Sequence, residues 1–327
     1  ISASIKFEAR NLEINPLVLT KDGKIYAADC HMTVDDYAVF RHPEMRIEIA
    51  RELGHPPTEL EKIAYKIEKD DYRGTFYFIQ METGFEKNSK VVGFHGAGGG
   101  GSMMSMDAIQ SLGFKPANFC DTSGNPPASK VYKAAKIILA QKNIDGYFGS
   151  GSGVASQEQF HSARGLVKAF REVNVNIPVV IRLGGNSEEK AIEILEGYTK
   201  DLNAPVRCYG KDTPAAECAK VFHELVSSHK AAKNKLPPTS HNSSYSFETV
   251  TGGTVSFDYE KCKSCNNQVC ISECCGKILE LKNHTPVLNI SKEEAKKGKC
   301  SECLACEVEC HAKGNKGGKI NLPIEGL

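Results

Sequence analysis

The chain has 327 residues, 40 % of them hydrophobic and 25 % charged, with a formal net charge of +1. That is enough apolar material for two or three packed domains. Near-neutrality excludes the basic footprint of a nucleic-acid binder, and no apolar run approaches the roughly 20 residues a membrane helix needs. No charged-then-apolar leader stands at the start, so a cytoplasmic protein is expected, with Ile1 either a processed end or a truncation.

Alternating apolar residues on both sides of "KDGK" (Lys21 to Lys24) predict a β-hairpin, with Glu13 and Asn15 leading into its first strand and Asp29 leaving its second. Hard oxygen ligands so placed suit Mg²⁺ held with nucleotide phosphates, although carboxylates and amides flanking a hairpin are also ordinary solvated surface. Strand-like and helix-like segments then alternate. The strand "KVVGFHGA" is followed by a helix from Ser102 to Leu112, and "KPANFCDTSGNP" by a helix from Ala128 to Lys142. "IDGYFGSGSG" precedes a helix from Gln157 to Val173, "IPVVIRLGGN" one from Glu188 to Tyr198, and "APVRCYG" a last helix ending near Val226. This alternation predicts a doubly wound parallel sheet of the flavodoxin-like type, with glycine-rich turns at the carboxyl ends of its strands, where such sheets bind ligands. Gly96 and Gly98 on one turn, and Gly151 and Gly153 on another, are the candidate substrate- and phosphate-binding residues, with the helix field near Val154 favouring an anion, while His95 beside the first turn, taken alone, reads more readily as a structural residue.

Beyond Ser228 a stretch rich in Lys, Ser, Asn and Pro reads as an exposed connector, and the tail behind it as a separate module. The domains expected are 1–75, 76–228 and 255–327, joined by a linker at 229–254.

Of 13 cysteines, Cys30, Cys120, Cys208 and Cys218 are scattered and read as ordinary thiols, while nine crowd between Cys262 and Cys310. Two runs stand out, "CKSCNNQVCISEC" from Cys262 and "CSECLACEVEC" from Cys300. In this spacing three cysteines of each run can serve one metal centre and the fourth the other, the logic of the bacterial two-cluster ferredoxin. One 4Fe-4S cluster is therefore assigned to Cys262, Cys265, Cys270 and Cys310, and a second to Cys300, Cys303, Cys306 and Cys274. Zinc would need two separate four-ligand sites, and disulfides would require an oxidising compartment. The ferredoxin resemblance covers Ser256 to Asn321, in a small α+β domain. It departs from the usual pattern in the four residues between Cys265 and Cys270, and in Cys275 and His311 where proline commonly follows the fourth ligand.

Between Leu12 and Val226, "LEINPLVLTKDGKIYAADCHMTVDDYAVFRHPEM", "MMSMDAIQSLGFKPANFCDTSGN", "VYKAAKIIL" and "EVNVNIPVVIRLGGN" resemble the C-terminal half of the β subunit of succinyl-CoA synthetase and related ADP-forming acyl-CoA synthetases. The resemblance implies the end of an ATP-grasp domain followed by the flavodoxin-like domain. It also implies an α-type partner subunit carrying CoA and a transiently phosphorylated histidine. Asn15 and Asp29 match the family positions that hold Mg²⁺ with ATP or ADP, and Glu13 matches the catalytic acid near the phosphohistidine. His95 replaces an asparagine that touches the acid substrate, which puts succinate in doubt. The family's adenine pocket and phosphate lysines precede the position corresponding to Ile1, so another chain is expected to supply the rest of the ATP-grasp domain unless the sequence is truncated. Two functions are carried forward: an ADP-forming acyl-CoA synthetase subunit coupled to a redox partner, or an electron-relay subunit in which the synthetase-like fold is a scaffold.

Overall fold

The computed structural model describes residues 1–47, 56–81, 89–151, 153, 155–230 and 240–327, and divides the chain into two compact units, Ile1–Pro57 and Thr58–Leu327.

In the first unit a short helix α1 (Ser2–Lys6) leads to strand β1 (Ala9–Glu13), hairpin strands β2 (Leu17–Leu19) and β3 (Ile25–Ala27), and β4 (His31–Val34). β2 pairs with β3 antiparallel around the predicted turn, and β1 pairs with β4. Glu13 therefore ends a separate strand, opposite His31, and does not lie in the hairpin itself. The hairpin leaves Leu17, Leu19, Ile25 and Tyr26 between 53 and 71 % exposed.

The second unit opens with α2 (Glu59–Lys69), started by a Thr58–Glu61 capping box. Its buried Ile63, Ala64 and Ile67 join the same core as Phe76 and Phe78. The unit boundary thus falls at Pro57, earlier than the expected 75, because this helix buries its apolar face on the following domain.

Next come β5 (Tyr77–Gln80), β6 (Lys90–Ala97), α3 (Gly99–Gln110), β7 (Phe114–Pro116), β8 (Asn118–Asp121), α4 (Ala128–Leu139), β9 (Gly146–Gly151), β10 (Ala155–Glu158) and α5 (Phe160–Val173). β11 (Val179–Arg182), β12 (Gly185–Asn186), α6 (Glu188–Gly197), β13 (Val206–Tyr209) and α7 (Ala215–Ser228) complete the domain. A seven-stranded sheet runs β13-β11-β9-β6-β8-β5, with β7 beside β6. All pairings are parallel except that of β5 with β8. The five parallel strands β8-β6-β9-β11-β13 follow the doubly wound order 2-1-3-4-5. One face of the sheet packs on α4 and α5, whose core includes Ala135, Ile138, Leu166 and Phe170; the other packs on α3 and α7 through Phe94, Ile109, Phe148 and Phe222.

The expected connector is shorter than 229–254. β14 (Tyr245–Glu248) and β15 (Thr254–Phe257) form an antiparallel hairpin inside it, with β18 (Gly318–Asn321) completing a three-stranded sheet. Tyr245, Phe247, Val255 and Phe257 alternate around a turn in which Gly252 adopts a φ of 76°, a strand signal hidden beneath the polar composition. The connector's residues 231–239 lie outside the described residues. Between β15 and β18 lie α8 (Tyr259–Lys263), α9 (Val269–Ser272), the β16 (Leu279–Lys282) and β17 (Thr285–Leu288) hairpin, α10 (Lys292–Glu294) and α11 (Ala305–Lys313). The core on the α4–α5 side of the sheet continues without a break into this module through Val255, Phe257, Leu304 and Val308.

Candidate functional sites

In the first unit the chain brings Glu13, Asn15, Asp29 and His31 to one exposed corner. The Asn15 amide donates to Glu13 Oε1 (3.3 Å), and Ala28 N donates to Pro16 O (3.1 Å), which sets Asn15 and Asp29 side by side just beyond that bond. Asp29 Oδ1 accepts from Cys30 N at 2.7 Å, and its Oδ2 lies 3.1 Å from His31 Nε2. His31 went unnoticed in the sequence; only the β1–β4 register, which sets it opposite Glu13, gives it away. The corner offers two carboxylates and an amide oxygen, hard donors of the kind Mg²⁺ takes.

At the carboxyl ends of the sheet strands the glycine-rich turns are tied to one another. Gly96 is held by space: a Cβ there would lie 2.6 Å from Ser102 Oγ and 2.8 Å from Cys120 O. Gly98 has a φ of 95° and donates its amide to Asp121 Oδ1 at 2.9 Å, and Ser123 N donates to the same oxygen at 2.8 Å. A carboxylate thus occupies one of the amides expected to face an anion, while Gly99 and Gly100 remain exposed at the start of α3. His95 stands apart from this turn. It is buried, Nδ1 meets the Tyr147 hydroxyl, Nε2 lies 3.3 Å from Thr122 Oγ1, and burial pushes its pKa down to about 4. The expected substrate contact becomes a neutral, fully partnered core histidine.

Gly151 ends β9, and its carbonyl accepts from Arg182 Nη1 at 3.2 Å. Arg182 also donates to the carbonyls of Thr213 and Lys211, each at 2.7 Å. Gly153 packs so close to Gly184 that a Cβ on Gly184 would stand 2.4 Å from Gly153 Cα. Val154, the expected helix-field position, lies outside the described residues. α5 starts at Phe160 and not at Gln157, because residues 155–158 form β10 against β12. Asn125 Oδ1 accepts from Gln157 N at 2.9 Å and Asn186 Nδ2 donates to Ser156 O at 2.7 Å, drawing that segment into the strand. Asp121, Asn125 and Arg182 were not singled out from the sequence; their only signal was their place at strand ends.

The tail cysteines face two cavities. One is lined by Cys262, Cys265, Cys270 and Cys310, with Phe257 and Pro286. The other is lined by Cys274, Cys300, Cys303 and Cys306, with Phe247 and Leu304. Each therefore takes three cysteines from one run and the last from the other, the same two sets that the spacing assigns. Gly317 leaves room here, since a Cβ on it would lie 2.7 Å from Cys262 Sγ. Burial pushes the thiols of Cys262, Cys270 and Cys300 up to about 12 and those of Cys274 and Cys306 upward as well. Cys303 goes the other way, to about 6, first through a hydrogen bond from the Cys275 thiol and further through the Arg164 guanidinium. All thirteen cysteines are free thiols, and among the described residues no three His, Cys, Asp or Glu side chains are grouped to hold a metal ion.

Residues 85–223 match the ATP citrate lyase citrate-binding family. The β subunit of a GDP-forming succinate–CoA ligase from Thermus thermophilus is 33 % identical over 211 residues, 64 % of this chain and 49 % of the relative. An ADP-forming counterpart from Archaeoglobus fulgidus is 36 % identical over 200 residues, 60 % of this chain and 46 % of the relative. This region is thus similar to the β subunits of succinate–CoA ligases and to the citrate-binding family of ATP citrate lyase. The chain spans about half the length of the curated relatives it matches. The solved ATP citrate lyase of Methanothrix soehngenii, in complex with citrate and coenzyme A, superposes with a TM-score of 0.56 over 68 % of this chain and 56 % of that one. At 21 % identity the likeness carries the synthetase-like fold alone. Among the described residues no helix is long and apolar enough to cross a membrane.

Proposed function

We propose that the protein is a β-type subunit, or part of one, of a cytoplasmic ADP-forming acyl-CoA synthetase that works with an α-type subunit bearing the phosphohistidine and CoA. Its tail carries two 4Fe-4S clusters and couples it to a redox partner. The observation that carries the ligase half is the retained Glu13–Asn15–Asp29 corner within a region related to CoA ligases. There Asn15 and Asp29 would hold Mg²⁺ against ATP or ADP, and Glu13 would orient the partner's histidine. The acid reacts as an acyl phosphate that the CoA thiol then attacks, in the manner of the resembled family. With His95 withdrawn into the core, the exposed turn at Gly99 and Gly100 is what remains to meet the acid. The likeness to a citrate-binding family favours a polycarboxylic acid over a plain monocarboxylic one. The bare apolar hairpin β2–β3 offers a surface that further ATP-grasp structure, in this or another chain, would cover.

The residue fit favours clusters over zinc. Zinc needs only four donors around one ion, typically as two C-x2-C pairs, a pattern that the spacing of the first run does not follow beyond Cys265. A 4Fe-4S cube takes one thiolate at each of four irons, so its cysteines ring a cavity, as each set here does. Such clusters would relay single electrons. Burial makes the thiols of Cys262, Cys270, Cys274, Cys300 and Cys306 resist ionising by themselves, so cationic iron would be what draws these five into the thiolate form.

The second reading, an electron-relay subunit using the synthetase-like fold as a scaffold, draws on the Asp121 carboxylate that takes the Gly98 amide. An anaerobic assay of the purified complex separates the two. ADP-dependent release of CoA from acyl-CoA thioesters supports the ligase, and reduction of the tail without nucleotide turnover supports the relay.

A further inference from the structure

Both cysteine runs end in the same dipeptide, Glu273–Cys274 in the first and Glu309–Cys310 in the second. These last cysteines are the two that cross over: Cys274 lines the cavity otherwise built by the second run, and Cys310 the cavity otherwise built by the first. The glutamates before them converge on one side chain from the synthetase-like domain. Arg164, on α5, is 0 % exposed; its Nε donates to Glu309 Oε1 at 2.9 Å and its Nη2 to Glu273 Oε2 at 2.5 Å. Its Nη1 points to Cys275 Sγ at 3.6 Å. Around this fork the Tyr198 hydroxyl donates to Glu309 Oε2 at 2.6 Å, and Lys190 Nζ to Glu273 Oε2 at 2.9 Å.

We infer that Arg164 is a positioning residue for both four-cysteine cavities at once, fixing the two crossing cysteines through the acid that precedes each. The inference rests on the reading that the cavities hold metal clusters. A guanidinium suits this task because its planar fork offers donors in two directions, where a lysine ammonium is a point charge. The neighbouring Lys168, one helical turn on, engages Glu307 and Glu172 at 2.7 Å but neither of the glutamates before a crossing cysteine. The tail is thus gripped by α5 and is no freely tethered carrier, and the integrity of its centres depends on the domain beneath.

The test uses the full chain, purified and reconstituted without oxygen, as wild type, Arg164→Lys and Lys190→Met. Iron release to a chelator should be faster by about tenfold or more in Arg164→Lys, the range seen when outer partners of metal ligands are lost, with both clusters leaving together. Lys190→Met removes a partner of Glu273 but of neither Glu309 nor Arg164, and should loosen only the cavity containing Cys274. Unchanged release in Arg164→Lys, or loss confined to one cluster, overturns the inference. Should the wild type take up no iron, the cluster reading falls, and the positioning role is judged on the metal-free chain by alkylation followed with mass spectrometry. Selective acceleration at Cys274 and Cys310 in Arg164→Lys, with Cys265 unchanged, upholds it; equal rates throughout, or a uniform rise that any loosened fold would give, overturn it.

Discussion

Between β6 and β11 the protein fills its interior with side chains: Val92, Phe94, Phe148 and Val180 are each 0 % exposed across three neighbouring strands. Between Cys262 and Cys310 it instead lines two cavities with cysteines. The sheet is complete as folded, since dense packing of apolar groups is its own source of stability. The tail sets eight thiols, four to a cavity, where the sheet sets packed side chains. One chain thus contains a part whose interior is filled by side chains and a part whose interior leaves two cavities lined by cysteines.

The sharpest way to break that contrast is Cys303→Ala. It should remove about half of the iron per chain, because each cluster depends on a full set of four thiolates. Iron and sulfide analysis with visible absorbance checks it, and full retention would show that the partition of cysteines is wrong. Asp29→Ala should abolish nucleotide-dependent turnover while leaving iron content intact; unchanged turnover would remove the Mg²⁺ role from the exposed corner. A third test concerns the sheet. Folded His95 has a pKa near 4 against an ordinary 6.5, so the unfolded chain binds more protons between those values. Its contribution is fully present above pH 6.5 and drains as the pH falls toward 4. At pH 5 this amounts to a loss of about 2 kcal/mol relative to pH 7. Urea midpoints at the two pH values should converge in His95→Gln, and an equal decline in both proteins would disprove the buried neutral histidine. Last, Gly96→Ala should cost about 1–3 kcal/mol through its clash with Ser102 and Cys120. Gly100→Ala, with nothing within 4 Å, should be close to neutral in the same denaturation experiment.

The order of strands and helices from Lys90 to Ser228 was legible because its apolar runs are separated by glycine and polar turns. The two cysteine runs stood out because their close spacing sets them apart from the four scattered thiols, and the two cavities are lined by four cysteines each. Other features were hidden by the limits of those same signals. The strand at Tyr245 lies inside a stretch whose Ser, Asn and Lys content suggested a linker. α2 carries too short an apolar stripe to announce which unit it packs against. His95 taken alone reads more readily as a core residue, and it is the resemblance that sets it at a substrate position; its burial and its Tyr147 and Thr122 partners are visible only in the fold. Arg164 sits in a helix with ordinary amphipathic spacing, so nothing in one dimension shows that its charge is buried between two glutamates from a segment more than a hundred residues away.

The uncovered hairpin of the first unit bears on handling. A ribbon presenting Leu17, Leu19, Ile25 and Tyr26 to water has both free edges and greasy side chains, a ready seed for self-association when copies crowd together. Overproduced without a companion, the chain should precipitate in proportion to its concentration; synthesised alongside whatever shields that ribbon, it should stay dispersed.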